Sequence, residues 1–101
     1  MTHKVTFRRE ALRDLGDLHR FIATESFERA DHYVDRVYDA CMSLAQMPLR
    51  GPARYDLAPG IRILTFEKRV VIAYRVIGRR VRIVNVFYGG RNYEHLLRKG
   101  R

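Results

Sequence analysis

The chain reads as an α+β domain of order β-α-α-β-β-β, with a helical hairpin on one face of a mostly antiparallel, twisted sheet. Three observations predict this. Two long stretches of the first half repeat apolar residues every three to four positions. Three runs rich in β-branched residues fill the second half, and one Pro/Gly-rich segment separates the two. A chain of 101 residues is expected to form a single domain, 1–101, around a modest core.

The elements follow in order. Lys4–Phe7 is a short candidate strand. From about Arg9 to Thr24, Ala11, Leu15, Leu18 and Ile22 share a narrow helical stripe, widened by Leu12 and Phe21. Glu10, Asp14 and Asp17 fall early in this helix, where its dipole favours acids. Ser26 is a natural N-cap for a second helix expected to run to about Met47, where Pro48 stops it. Ala30, Val34, Val37, Cys41, Leu44 and Ala45 define its apolar face. Tyr33, Ala40 and Met47 extend that face on one flank, Tyr38 and Met42 on the other. The arc exceeds what one packing surface needs, so Tyr33, Tyr38 and Met42 are candidates for contact with a partner peptide.

After the loop PLRGPARYDLAPG, residues 48–60, come Ile61–Phe66, Val70–Ile77 and Val81–Tyr88. Gly78-Arg79 and Glu67-Lys68 fit two-residue hairpin turns. With both turns that short, alternation assigns the faces. Ile61, Ile63, Val70, Ile72, Tyr74, Val76, Val81, Ile83 and Phe87 would meet the helices. Arg62, Leu64, Arg69, Val71, Ala73, Arg75, Ile77, Arg80, Arg82, Val84, Val86 and Tyr88 would form an uncovered face carrying five arginines. On that face Arg75 and Arg82 stand opposite each other. Either the arginine stems cover apolar sheet residues and their heads stay wet, or the face binds phosphate or carboxylate groups.

The charge is one-sided. Residues 1–50 carry eight basic and eight acidic side chains; residues 51–101 carry twelve basic and three acidic, so the net +9 sits wholly in the second half. That excess suits an anionic partner. No apolar run approaches a membrane span, and the start of the chain lacks a signal-peptide pattern, so a cytoplasmic protein without membrane contact is expected. Cys41 is alone, the four histidines lack metal spacing, and the row Asp31, Asp35, Asp39 has no converging ligands. Gly89-Gly90 is too short for a phosphate loop, and no cofactor is expected. It reads instead as a turn that sets Arg91 at the rim of the arginine face and lets Asn92 cap a short closing helix.

Taken in sequence, FRREALRDLGDLHRFIA, the stretch ADHYVDRVYDACMSLAQMPLRGPARYDLAPGIR, VVIAYRV and VRIVNVFYGGRNYEHLL resemble the ParE branch of the RelE/ParE superfamily, toxins of type II toxin–antitoxin modules. The resemblance spans nearly the whole chain. It implies a small cytoplasmic toxin that inhibits DNA gyrase and is neutralised in a hetero-oligomer by a ParD-like antitoxin. On this reading Arg62, Arg75, Arg82, Arg91 and Asn92 are the candidate target-binding residues, and catalytic residues are not required. Tyr88 stands where many ParE relatives have histidine, and an aromatic there is reminiscent of ribonuclease members. The alternative is therefore a RelE-like, ribosome-dependent mRNA endoribonuclease using Arg62, Arg82 and Tyr88. A third reading is a non-toxic, basic nucleic-acid-binding domain.

Overall fold

A computed structural model describes residues 2–100. The order is β1 (Lys4–Phe7), α1 (Arg9–Ala23), α2 (Phe27–Met42), β2 (Arg62–Phe66), β3 (Val70–Ile77), β4 (Arg80–Phe87) and a short closing helix α3 (Tyr93–Arg98). The strands form one sheet in the order β1-β4-β3-β2. β1 runs parallel to β4, and the other two pairings are antiparallel. The expected α+β architecture is what forms.

The hairpin helices pack on one face. Ala11, Leu15 and Leu18 of α1 and Val37 and Cys41 of α2 meet Val70, Ile72, Tyr74, Val81, Ile83 and Val86 of the sheet. Ser26 caps α2 as expected, its hydroxyl accepting from the Arg29 N–H at 3.2 Å. α2 ends earlier than Met47. The Ser43 hydroxyl donates to the Ala40 carbonyl at 2.6 Å, and the chain tightens into a 3₁₀ turn over Ser43–Ala45 that drives Leu44 into the core. Leu12 and Phe21, expected to widen the α1 stripe, are 54% and 62% exposed.

Two irregularities change the expected faces. The Glu67-Lys68 turn forms, with both residues in the left-handed region and the Arg69 N–H bonded to the Phe66 carbonyl at 3.1 Å. Pairing resumes, however, at Phe66↔Val70, so Arg69 is an extra residue and β2 is displaced by one position. A one-residue slip exchanges the two sides of a strand. Arg62 and Leu64 therefore share the helix side with Tyr74 and Ile72, while Ile61 and Ile63 turn to the other. The second irregularity is a bulge at Val84, between Ala73↔Asn85 and Tyr74↔Ile83. It sends Val86 to the helix side and Phe87 to the outer side, opposite to expectation.

The bulge sits where α1 begins. Arg8 donates its backbone N–H to the Ile83 carbonyl at 2.9 Å and its guanidinium to the Val84 carbonyl and the Asn85 side chain, both at 3.3 Å. Asp14, read from sequence only as an acid favoured by the helix dipole, is fully buried. Its carboxylate accepts from the Asn85 amide at 3.0 Å and from the Val86 N–H at 2.9 Å. The expectation missed this because an acid beside an irregular strand finds backbone donors that a regular ladder would have consumed.

The outer face is not bare. Leu57 and Ile61 from the long loop and Leu97 from α3 cover Ile63, Ala73, Val84 and Phe87, giving a second, smaller core. The loop is anchored from within: the buried Tyr74 hydroxyl accepts from the Gly51 N–H at 2.9 Å and donates to the Pro48 carbonyl at 2.8 Å. Gly51 is required by space. A Cβ there would lie 2.7 Å from the Ile63 carbonyl oxygen and 2.9 Å from the Tyr74 hydroxyl. The turn end of β3 and β4 is left open on this side.

Candidate functional site

The sequence candidates separate into distinct places. Arg62, half-buried on the helix side, donates to the carbonyls of Gly51 at 2.8 Å and Leu49 at 3.4 Å, holding the long loop. It does not share a face with Arg75 and Arg82, a correction that follows from the displaced β2 register. Arg75 and Arg82 do stand opposite each other on the outer face. Arg75 donates to the Pro59 carbonyl at 2.7 Å. Tyr88 follows Phe87, which pairs with Val71, whereas Arg62 pairs with Tyr74. Three residues of strand, ~10 Å, lie between those levels. Arg62, Arg82 and Tyr88 are thus not assembled into one cluster.

Tyr88 belongs to an open groove of about 1200 Å³ between the α1–α2 junction, the β2–β3 turn and the exit of β4. Its ring lies 5.5 Å from that of Phe21 and 5.6 Å from the Arg91 guanidinium. On the opposite wall Tyr33 packs edge-on against Phe66 at 5.9 Å, and the Arg36 guanidinium sits 5.4 Å from the Phe66 ring. Arg36 also pairs with Glu67. Arg29, Lys68 and Arg69 add cations to the rim, Glu25 and Glu28 acids. Apolar rings below and charges of both signs above are the chemistry that takes an amphipathic polypeptide. The sequence marked Tyr33 and Tyr88 separately; the groove that joins them depends on how the turn and the helix junction close up.

Tyr38 and Met42 lie on the other flank of α2. Tyr38 stacks on Phe7 with ring centres 5.4 Å apart, yet remains 43% exposed, and Met42 is 37% exposed. Past β4, Gly89 and Gly90 have φ of 70° and 72°, a conformation in which a side chain would be strained, so the pair serves as the turn out of the sheet. Arg91 is exposed, and the Asn92 side chain caps α3 by accepting from the His95 N–H at 3.2 Å.

Electrostatics tie α3 to the long loop. Arg54 bonds Asp56 at 2.9 Å and Glu94 at 2.7 Å, and Arg98 approaches Asp56 at 3.4 Å. The Arg54 hydrogen bond, with smaller help from Arg98, holds the Asp56 carboxyl below its ordinary range. Burial raises the Tyr74 phenol and pushes the Cys41 thiol up to about 12, so Cys41 is a packing residue and not a nucleophile. Among the described residues no group of His, Cys, Asp or Glu is placed to hold a metal. No helix among them is long and apolar enough to cross a membrane.

Comparison with known proteins places this architecture. A chain of the chromosomal ParDE toxin–antitoxin system from P. aeruginosa superposes with a TM-score of 0.74 at 24% identity, over 86% of this chain and 96% of that one. A chain of the toxin–antitoxin complex RelBE2 from Mycobacterium tuberculosis superposes with a TM-score of 0.66 at 23% identity, over 88% of this chain and 100% of that one. Both share the fold. None of the curated proteins compared matches the sequence. The model of the ParE toxin family, toxins of the type II toxin–antitoxin system parDE, matches residues 5–93. The chain therefore belongs to the ParE toxin family of type II toxin–antitoxin systems.

Proposed function

We propose that this ParE-family toxin acts in the cytoplasm by inhibiting DNA gyrase and is held inactive by a ParD-like antitoxin in a hetero-oligomer. Family membership over residues 5–93 carries the gyrase reading. The separation of Arg62 from Arg82 and Tyr88 leaves the ribonuclease alternative without the trio expected to carry it. On the gyrase reading the target meets Arg75 and Arg82 on the outer face and Arg91 and Asn92 at the rim. The antitoxin covers α2, filling the groove at Tyr33 and crossing the exposed Tyr38 and Met42. Its polypeptide is amphipathic and acidic, to match the cations around the groove.

The test is direct. Purified toxin is expected to block supercoiling of relaxed plasmid by gyrase and to leave mRNA intact. Arg91→Ala should weaken this without lowering the melting temperature. Ribosome-dependent mRNA cleavage that is lost in Tyr88→Phe would overturn the gyrase reading. For the antitoxin contact, Met42→Glu should reduce co-purification of the co-expressed antitoxin while leaving gyrase inhibition intact.

A further inference from the structure

Beside Arg75 and Arg82, the open end of the outer face carries Lys4, Arg79 and Arg80, which the readings above leave unexplained. Lys4 pairs in register with Arg80, Thr6 with Arg82, and Arg82 in turn with Arg75. Residues paired across a ladder share a face, as do residues two apart on one strand. Lys4, Arg80, Arg82 and Arg75 thus point the same way across three adjacent strands, with Arg79 at the turn. Lys4, Arg79, Arg80 and Arg82 line a shallow hollow of about 420 Å³ with Ile77, which is 56% exposed.

Among the described residues no acid is paired with this patch. The three acids of residues 51–101 are engaged elsewhere: Asp56 and Glu94 by Arg54, Glu67 by Arg36. Among the described residues none of Lys4, Arg75, Arg79, Arg80 and Arg82 has an acidic partner within salt-bridge distance. Like charges facing one another across a ladder oppose folding, so the arrangement stabilises only a complex with something anionic. Guanidinium groups fit phosphate oxygens in fork geometry. The hollow holds no aromatic ring to stack on an unpaired base, which disfavours single strands. It also lacks the mixed charges and rings that fit the groove to a polypeptide.

We propose that Lys4, Arg79, Arg80 and Arg82, with Arg75 beside them, form a docking site for the phosphate backbone of duplex DNA. This goes beyond the gyrase and antitoxin readings, because the toxin chain itself would hold DNA without either protein. Binding would be independent of base sequence, since backbone contacts carry no sequence information.

The experiment is fluorescence anisotropy of a labelled 20-bp duplex with the full-length toxin, titrated at several NaCl concentrations. Five phosphate contacts predict a slope of log affinity against log salt of about −4.5. The variant Lys4→Gln/Arg79→Gln/Arg80→Gln should flatten that slope by about 3 and weaken binding on the order of 100-fold near 150 mM salt. A control, Arg9→Gln/Arg13→Gln/Arg20→Gln, removes the same charge from α1 and should change affinity far less. If the triple patch variant fails to fold, Arg79→Gln alone should flatten the slope by about 0.9. The proposal fails if the wild-type toxin shows no salt-dependent binding, or if the control loses as much as the patch variant. It fails equally if polyglutamate of matched charge displaces the duplex better than unlabelled DNA, which would assign the patch to an acidic protein. Supercoiling assays report separately: a toxin that binds DNA but never inhibits gyrase refutes the gyrase reading alone.

Discussion

Tyr74→Phe should destabilise the toxin by unfastening its long loop. The hydroxyl is fully buried and joins two backbone groups of that loop, the Gly51 N–H at 2.9 Å and the Pro48 carbonyl at 2.8 Å. Phenylalanine keeps the ring and its packing, so the change removes two hydrogen bonds and little else. Gly51 is itself buried, which leaves its N–H without water as a substitute. Stranding a buried donor costs about 1–3 kcal/mol, and the loss of the bond to Pro48 adds part of another, for a total of about 2 kcal/mol. For a domain of this size that lowers the melting temperature by about 9 °C. Thermal melts by circular dichroism read the shift, and limited trypsin digestion should show earlier cutting at Arg50 and Arg54. A melting temperature within about 2 °C of wild type would refute the reasoning, because it would mean that the loop stays closed through Arg62 and its own side chains alone.

Tyr33→Phe should behave in the opposite way: the Tyr33 hydroxyl is buried with no hydrogen-bond partner among the described residues, so its removal should leave stability unchanged or raise it by up to about 1 kcal/mol. A fall as large as that of Tyr74→Phe would contradict this. Cys41, fully buried and with its thiol raised to about 12, should react with Ellman's reagent at pH 8 orders of magnitude more slowly in native than in denatured protein; rapid native labelling would show that α2 opens. Asp56 supplies a pH test. Because its folded pKa is depressed, its contribution is fully present above the ordinary carboxylate value of about 3.9 and is lost as pH falls through the lower folded value. Amide exchange in α3 should therefore speed up relative to the main core below about pH 4, and Asp56→Asn should remove that pH dependence.

Element type and order were legible because periodicity records which side of an element is buried, and the helices and strands keep one period along most of their length. Ser26 as a cap, the Gly78-Arg79 turn and the Asn92 cap were legible for a local reason: each rests on contacts within three residues. Facing was not. It depended on Arg69 and Val84, two extra residues whose accommodation is set by neighbours distant in sequence, and each error reversed a whole segment of strand. The second core was hidden for a related reason, since Leu57 and Leu97 occupy a loop and a six-residue helix too short to show a repeat. Of the site, the Arg75–Arg82 pair was readable from turn length, whereas the groove needed three separate segments to converge.

The extra residue at Arg69 makes the β2–β3 connection a parity switch. Deleting it would leave every other residue in place along the chain yet exchange the two sides of β2, directing Ile61 and Ile63 toward the helices and Arg62 outward. The long loop would lose the arginine that ties it down, and the outer core two of its members, in a single step. Relatives that differ in length at this hairpin by one residue must therefore also differ in the alternation of the preceding strand. In aligning them, the parity of the turn is a better guide to which arginines correspond than residue identity is.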